Sequence, residues 1–486
     1  MSPRFVFPQI AVRASDYNIY VESPETSEWV LAHGYSGAVD RVDSGTVAWL
    51  KSGMREGSVS PDVHARLLQR GFLTTRSEAE EQTVVRTALT RHIDHVARES
   101  TFTVILSYDC NFRCTYCSQR VVQLKGSKYL KEGMSDEVMD AAFSFMDEYG
   151  PKSSITLFGG EPFAPGNEHR VERFLEWVRR RGTPSTAVSN GYDWDTFKDL
   201  IKPDVIRQVQ ITVDGPPEVH NRRRIALGTK DSFWTIISNI RWALDSGIAI
   251  TLRINCDRTN VEKLEQLTRI LIEEGLHGHD RFAAYLAPVQ GNGVMKNHEP
   301  LFNYGEMYGK LLDAPDAGGC QSCGNHSAGA GAGETPFNTD FLPSMRHELR
   351  DCLEGKQPGL SYNYVYCGAY TNLFTLDPHG RLYACWDYVD DPKHAVGAFH
   401  PQVEFRDEQL AVWRKRGEEV LMKQCLACPY VLLHGSGCQA EALRQTGNYW
   451  ERDCQDYSVQ FDLAMKAAMG ALKVGGRRIL PLTLVS

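Results

Sequence analysis

From Tyr17 to about Thr75, apolar and polar residues alternate around turn signals, as in YNIYVESPETSEWVLAHGYSGAVDRVD, which predicts short antiparallel strands. Helical spacing follows near Thr46 to Lys51 and over Pro61 to Arg70, so this stretch reads as a small β-plus-helix module ending at GFLTT. The polar segment Arg76 to Arg98 predicts a helix leading into the next domain. Between Phe102 and about Pro288 the period switches repeatedly. The β-rich runs TFTVILSY, SSITLFGGE, STAVSNG, VQITVDG, AITLRINC and RFAAYLAPV are interleaved with helical stretches around Asp136 to Glu148, Val171 to Arg181, Phe233 to Ser246 and Val261 to Glu274. Repeated βα units predict an α/β fold, a partial (β/α)6 TIM-like barrel, with its chemistry at the carboxyl ends of the strands.

Beyond the barrel, the pattern loses its period. Asp313 to Pro336 is rich in Gly, Ala and Ser and reads as a flexible loop. A cysteine-rich region runs from about Tyr366 to Cys454, and an apolar-periodic helix, Val459 to Lys473, follows it. The expected organisation is a β-plus-helix module over 1–98, the barrel over 99–300, a bridging segment over 301–365, a cysteine-rich domain over 366–470 and a tail over 471–486.

Composition narrows the function. With 486 residues, of which 42% are hydrophobic and 23% charged, the chain can bury a large core. A net charge of −8 offers no basic field for nucleic acid phosphates or anionic lipid. No run approaches the roughly 18 apolar residues of a membrane helix, and the amino terminus lacks the pattern of a signal peptide. The expectation is a cytoplasmic protein without nucleic acid or membrane partners. An odd count of 13 cysteines in two tight clusters then points to metal binding rather than disulfides.

The first cluster, Cys110, Cys114 and Cys117 in SYDCNFRCTYCSQR, has the spacing C-x3-C-x2-C. One short loop can aim all three sulfurs at one place, and three thiolates leave a four-coordinate centre one ligand short. Zinc usually takes a fourth protein ligand, and no histidine lies nearby in sequence. An iron–sulfur cluster with one open iron fits better. At the end of a first barrel strand, this triplet resembles the signature of the radical S-adenosylmethionine (SAM) enzymes. The resemblance implies a [4Fe-4S] cluster whose open iron is chelated by SAM, and reductive cleavage of SAM to a 5′-deoxyadenosyl radical that abstracts hydrogen.

The same resemblance extends to the flanks. Tyr116 takes the aromatic position that packs near the adenine. FGGEP supplies Gly159, Gly160, Glu161 and Pro162 for the SAM ammonium, and Ser189 and Asn190, followed by Gly191, match polar ribose and carboxylate contacts. In TVDGPPEVHNRRR, Asp214 and His220 are candidates for ordering the site, against a reading as loop hydrogen bonds. Arg253 and Asn255, at a further strand end, are further candidates for reaching SAM.

The second cluster is C-x2-C-x9-C, Cys425, Cys428 and Cys438, with Cys454 beyond and Cys367 and Cys385 upstream. On spacing alone, a structural zinc site is the alternative. Beside the triplet, the region resembles the SPASM domain, whose usual pattern is C-x9-15-G-x4-C, a gap, C-x2-C-x5-C-x3-C, another gap and a last C. That implies auxiliary [4Fe-4S] clusters, two or three in all with the first. Cys367, Gly380 and Cys385 match the opening part, and Cys425, Cys428, Cys438 and Cys454 are expected to hold the outer cluster. The inner cluster is then short of ligands after Cys367 and Cys385. Cys352 is a third candidate, Cys320 or Cys323 a fourth, and Cys256 is expected in the core.

Taken together, the resemblance implies a peptide or protein maturase. The leading expectation is hydrogen abstraction from a ribosomally synthesised precursor peptide to install a thioether or carbon–carbon crosslink or another oxidation, with electrons from a flavodoxin or ferredoxin. The alternatives are a sulfatase-type maturase and a non-catalytic iron–sulfur or zinc protein. The amino-terminal module faintly resembles a leader-peptide recognition element, against a reading as a cap on the barrel.

Overall fold

The computed structural model describes residues 11–23, 28–96, 100–289, 301–313, 345–470, 473–474 and 477–478. Cys320, Cys323 and the Gly/Ala-rich loop lie outside them.

The amino-terminal module is a three-stranded antiparallel sheet, β1 (Asn18–Glu22), β2 (Trp29–His33) and β3 (Val39–Val42), in that spatial order. Period-2 alternation gives it two apolar faces. Leu31 packs with Trp49, Leu50, Leu67 and Phe72 beneath the helices Ser44–Lys51 and Pro61–Arg70. Ile19, Val21 and Val30 pack instead on Leu349, Phe461 and Met465, from two carboxyl-terminal helices. The helix Pro61–Arg70 runs as predicted because its ends are written into the sequence. The Ser60 side chain accepts from the Val63 amide, proline opens the first turn, and Gly71 closes it at φ +91°.

The barrel strands are β4 (Thr101–Val104), β6 (Ile155–Leu157), β7 (Ser185–Ser189), β8 (Ile206–Thr212), β10 (Ala249–Cys256) and β11 (Phe282–Pro288). Each pairs in parallel with the next. Amphipathic helices such as Asp136–Tyr149 and Phe233–Asp245 bury one stripe against this sheet, with Phe145, Met146, Ile236 and Ile240 in the common core. A short ribbon, β5 (Phe112–Cys114) with β9 (Arg224–Ala226), crosses the mouth and pairs Cys114 with Arg224.

One feature lies beyond what the sequence pattern predicts. β12 (Leu373–Leu376), from the cysteine-rich region, pairs in parallel with β4, and β13 (Arg381–Tyr383), β14 (Ala395–Ala398) and β15 (Glu404–Phe405) continue the sheet in antiparallel fashion. The result is one ten-stranded sheet, open at β11 and β15. Phe102 of β4 stacks near Phe374 of β12 with ring centroids 6.5 Å apart, so barrel and cysteine-rich region share a core. Among the described residues, no helix is long and apolar enough to cross a membrane.

Candidate functional site

The carboxyl ends of the parallel strands converge on one mouth. The loop after β4 carries Cys110, Cys114 and Cys117, and the turn after β6 carries Gly159, Gly160 and Glu161. The Glu161 amide donates to the Asp109 carbonyl at 2.7 Å, and the Gly160 amide to Oε1 of Gln119 at 2.8 Å. These bonds clamp the turn against the cysteine loop. Both glycines have positive φ, +84° and +53°, and a Cβ on Gly160 would be driven into the Asp109 carbonyl. Gly160→Ala should therefore open the clamp, and the expected result is loss of SAM binding by calorimetry or failure to accumulate as folded protein.

Glu161 is buried at the centre of this arrangement. Its Oε1 accepts from the Phe163 amide at 3.1 Å and from Ser189 Oγ at 2.7 Å, and its Oε2 from the Asn190 amide at 2.6 Å. Burial pushes its pKa up to about 7, although those three donors pull the other way. The carboxylate expected to meet the SAM ammonium is thus engaged with β7. Among the described residues no donor is bonded to the carbonyls of Gly159 or Gly160, whereas Asn167 Nδ2 bonds those of Glu161 and Pro162. Asn190 reaches across to the cysteine loop, its Nδ2 donating to Oδ1 of Asn111 at 2.6 Å.

Tyr116 is the hub of the opposite wall. Arg224 Nη1 at 2.9 Å and Asn255 Nδ2 at 3.2 Å both donate to its hydroxyl, and the Arg223 guanidinium lies 5.1 Å from its ring centroid. Asp214 accepts from the Asn255 amide at 3.1 Å and pairs with Arg223, tying β8 to β10. Arg253 turns to Asn255 Oδ1 at 2.9 Å and to the Tyr285 hydroxyl. His220 is fully buried against Phe233; burial, with Arg224 and Arg223, depresses its pKa well below the usual value. Among the described residues neither of its ring nitrogens has a hydrogen-bond partner.

Arg224 is the residue that sequence reading missed. It is buried beside Cys114 and Tyr116, its charge opposed by burial but sustained by both and by Asp214, and among the described residues its Nε has no hydrogen-bond partner. The only signal was the run Arg222 to Arg224, because the register that sets Arg224 opposite Cys114 spans 110 residues. Burial raises all three thiols, Cys114 to about 11, so the thiolates need a compensating positive charge. With the unpartnered Nε of Arg224 and Nε2 of Gln119, the donor set suits an anionic, polar ligand held over a metal cluster.

The remaining cysteines fall into two groups that differ from the expected ones. After burial, Cys438 is the strongest influence raising Cys367, and Cys438 and Cys367 both raise Cys385. Cys428 and Cys454 in turn raise Cys425. Cys438, expected with the outer set, is thus an electrostatic neighbour of Cys367 and Cys385. The reason is local. Gly435 and Gly437, at φ +68° and +76°, turn the chain between Cys428 and Cys438. Cys352 is corrected as well: its helix buries it among Leu349, Ile19 and Phe461 under the amino-terminal sheet, where its charged neighbours are Glu348, Asp351 and Arg70. Cys256 is a core residue. Among the described residues, no three His, Cys, Asp or Glu side chains converge on a point that one ion could occupy. Ligands of a four-iron cluster need not do so, since each holds a different iron.

A family model described as the radical SAM superfamily matches residues 104–271, from β4 into the helix Leu264–Glu273. The chain carries a radical SAM domain. A curated relative, the cysteine-type anaerobic sulfatase-maturating enzyme of Clostridium novyi (strain NT), is 26% identical over 173 residues, 32% of this chain. The match spans 44% of that relative, less than half its length. Among solved structures, native anSMEcpe with bound AdoMet aligns with a TM-score of 0.52 at 17% identity, covering 76% of this chain and 98% of that one. The same protein with bound AdoMet and Cp18Cys peptide aligns at 0.51 and 17%, with equal coverage. These likenesses extend the shared fold well beyond the radical SAM domain.

Proposed function

We propose that this chain is a radical SAM maturase that abstracts a hydrogen atom from a ribosomally synthesised peptide to install a crosslink or another oxidative modification. The observation that carries the reading is the clamp between the Cys110, Cys114 and Cys117 loop and the Gly159–Glu161 turn, at the mouth of a sheet shared with a cysteine-rich extension. In this reading, Cys110, Cys114 and Cys117 hold a [4Fe-4S] cluster. The carbonyls of Gly159 and Gly160 take the SAM ammonium, Arg224 with Ser189 and Asn190 faces its carboxylate and ribose, and Tyr116 packs near the adenine. When bound, the cluster and SAM together supply the 5′-deoxyadenosyl radical. The protein positions the peptide carbon, keeps water from the mouth and presents Arg224 as a fixed cation.

Cys367, Cys385 and Cys438 would hold an inner auxiliary cluster, and Cys425, Cys428 and Cys454 an outer one, in line with electron transfer away from the peptide radical. A flavodoxin or ferredoxin is the proposed donor. The edge of the amino-terminal sheet suits a leader peptide added as a further strand. A sulfatase-type reaction is the second reading, supported by the named relative.

The reading is tested by anaerobic reconstitution with iron and sulfide, followed by dithionite and SAM with and without candidate precursor peptides and a sulfatase-derived peptide. Formation of 5′-deoxyadenosine with a mass change in a precursor supports the first reading, and conversion of the sulfatase peptide alone supports the second. Bound zinc without SAM cleavage would overturn both. Arg224→Met removes the cation without removing the aliphatic stem. The expected outcome is SAM affinity weakened about tenfold or more at unchanged iron content, the loss of one charge-assisted hydrogen bond.

A further inference from the structure

The segment between the two groups of carboxyl-terminal cysteines carries one more ligand-type side chain. Counted from Cys428, the sequence runs C-x5-H-x3-C, with His434 between Cys428 and Cys438. Because Cys438 sides with Cys367 and Cys385, the set Cys425, Cys428 and Cys454 is left with three sulfurs for four irons. We propose that His434 is the fourth protein ligand of the outer auxiliary cluster, completing Cys425, Cys428 and Cys454. The proposal rests on the reading that those three cysteines hold a [4Fe-4S] cluster.

The local geometry brings His434 to both chain segments that carry the sulfurs. It ends the short helix Val431–His434, whose first amide donates to the Cys428 carbonyl at 3.1 Å. Gly435 stops that helix in the left-handed region. On the other side, the His434 ring lies 4.6 Å from the ring of Tyr457, whose amide donates to the Cys454 carbonyl at 2.9 Å. A Cβ on Gly437 would meet both His434 Cε1 and the Asp453 carbonyl, so the imidazole abuts the backbone leading into Cys454.

His434 is only 8% exposed, and its ring sits between those of Tyr366, at 5.7 Å, and Tyr457, at 4.6 Å. Replacing one thiolate by neutral imidazole adds one positive charge to the cluster unit and raises its reduction potential, as histidine ligation does in other iron–sulfur centres. The outer cluster would then be more easily reduced than one held by four cysteines.

The test uses the full chain labelled with 15N-histidine and reconstituted anaerobically. Pulsed EPR of the reduced wild type is compared with His434→Cys, and both are repeated in a Cys110, Cys114, Cys117, Cys367 and Cys385 to alanine background that isolates the outer cluster. The expected result is about four irons per chain in that background and a histidine 15N hyperfine coupling that His434→Cys removes. His434→Cys should keep its iron and show a lower potential. Iron retained with no 15N coupling overturns the assignment of His434 while leaving the cluster in place. No iron in the isolating background, with wild-type iron reaching only the number for the other sites, overturns the reading of the three cysteines and the proposal with it. The unmutated background supplies the coupling measurement independently of any folding defect in the five-fold variant.

Discussion

Replacing Cys110, Cys114 and Cys117 together by alanine should abolish reductive cleavage of SAM and lower the iron content by about four atoms per chain. Cys110, Cys114 and Cys117 share one loop, Cys114 buried and the other two half-buried. Each is raised by desolvation, the first two also by neighbouring cysteines, so the thiolate forms that ligate iron would need the positive charge of bound metal. The wild type should carry about twelve irons if both auxiliary groups hold clusters and about eight if one does. The variant should keep its fold, because the loop is also held by the bond from Asn190 to Asn111 and by the ribbon of β5 with β9. Iron counting and deoxyadenosine chromatography decide the matter. Unchanged iron, or cleavage persisting in the variant, would remove the triplet from the chemistry.

The second large effect concerns Glu161. Its pKa stands at about 7, against an ordinary value of 4.5, because burial outweighs three hydrogen bonds. A carboxyl group raised on folding contributes stability that is present below pH 4.5 and lost as pH rises through about 7. The loss is on the order of 3 kcal/mol. Glu161→Gln carries no ionisation cost, but its amide brings two N–H donors into a pocket that already presents the Phe163 and Asn190 amides and the Ser189 hydroxyl. At pH 5 the variant should be less stable than wild type by about 1–3 kcal/mol, the cost of an unsatisfied buried donor. Toward pH 8 the gap should narrow. Denaturant midpoints at both pH values provide the check, and parallel curves would show that the carboxyl is not raised. SAM affinity should fall with the variant at every pH, because Glu161 joins the turn after β6 to the end of β7.

How far the site could be read in advance follows from the range of the interactions involved. Cys110, Cys114 and Cys117 lie within eight residues, and Gly159 to Pro162 are contiguous, so the pattern that resembles the radical SAM signature is local and legible in the sequence. The helix Pro61–Arg70 was legible for the same reason, its cap and its stop being adjacent residues. Arg224 was not legible, because it acquires meaning only when β9 lies beside β5. The nearness of Cys438 to Cys367 and Cys385 was not legible either, because spacing along the chain does not report neighbours in space. The turn through Gly435 and Gly437 sends the chain elsewhere.

The sequence by itself determined the alternation of strands and helices, the β-plus-helix module at the amino terminus, the C-x3-C-x2-C triplet and the presence of a second cysteine field. These depend on periodicity, caps and short spacings, which a single stretch of chain carries complete. Tertiary structure alone decided that β12 joins β4 and fuses the two regions into one sheet, that Glu161 is turned inward toward β7, and that Cys438 comes near Cys367 and Cys385. Each of these is a pairing between residues far apart in sequence. Its free energy comes from burying shared surface and satisfying buried polar atoms, and neither quantity exists until the chain has folded.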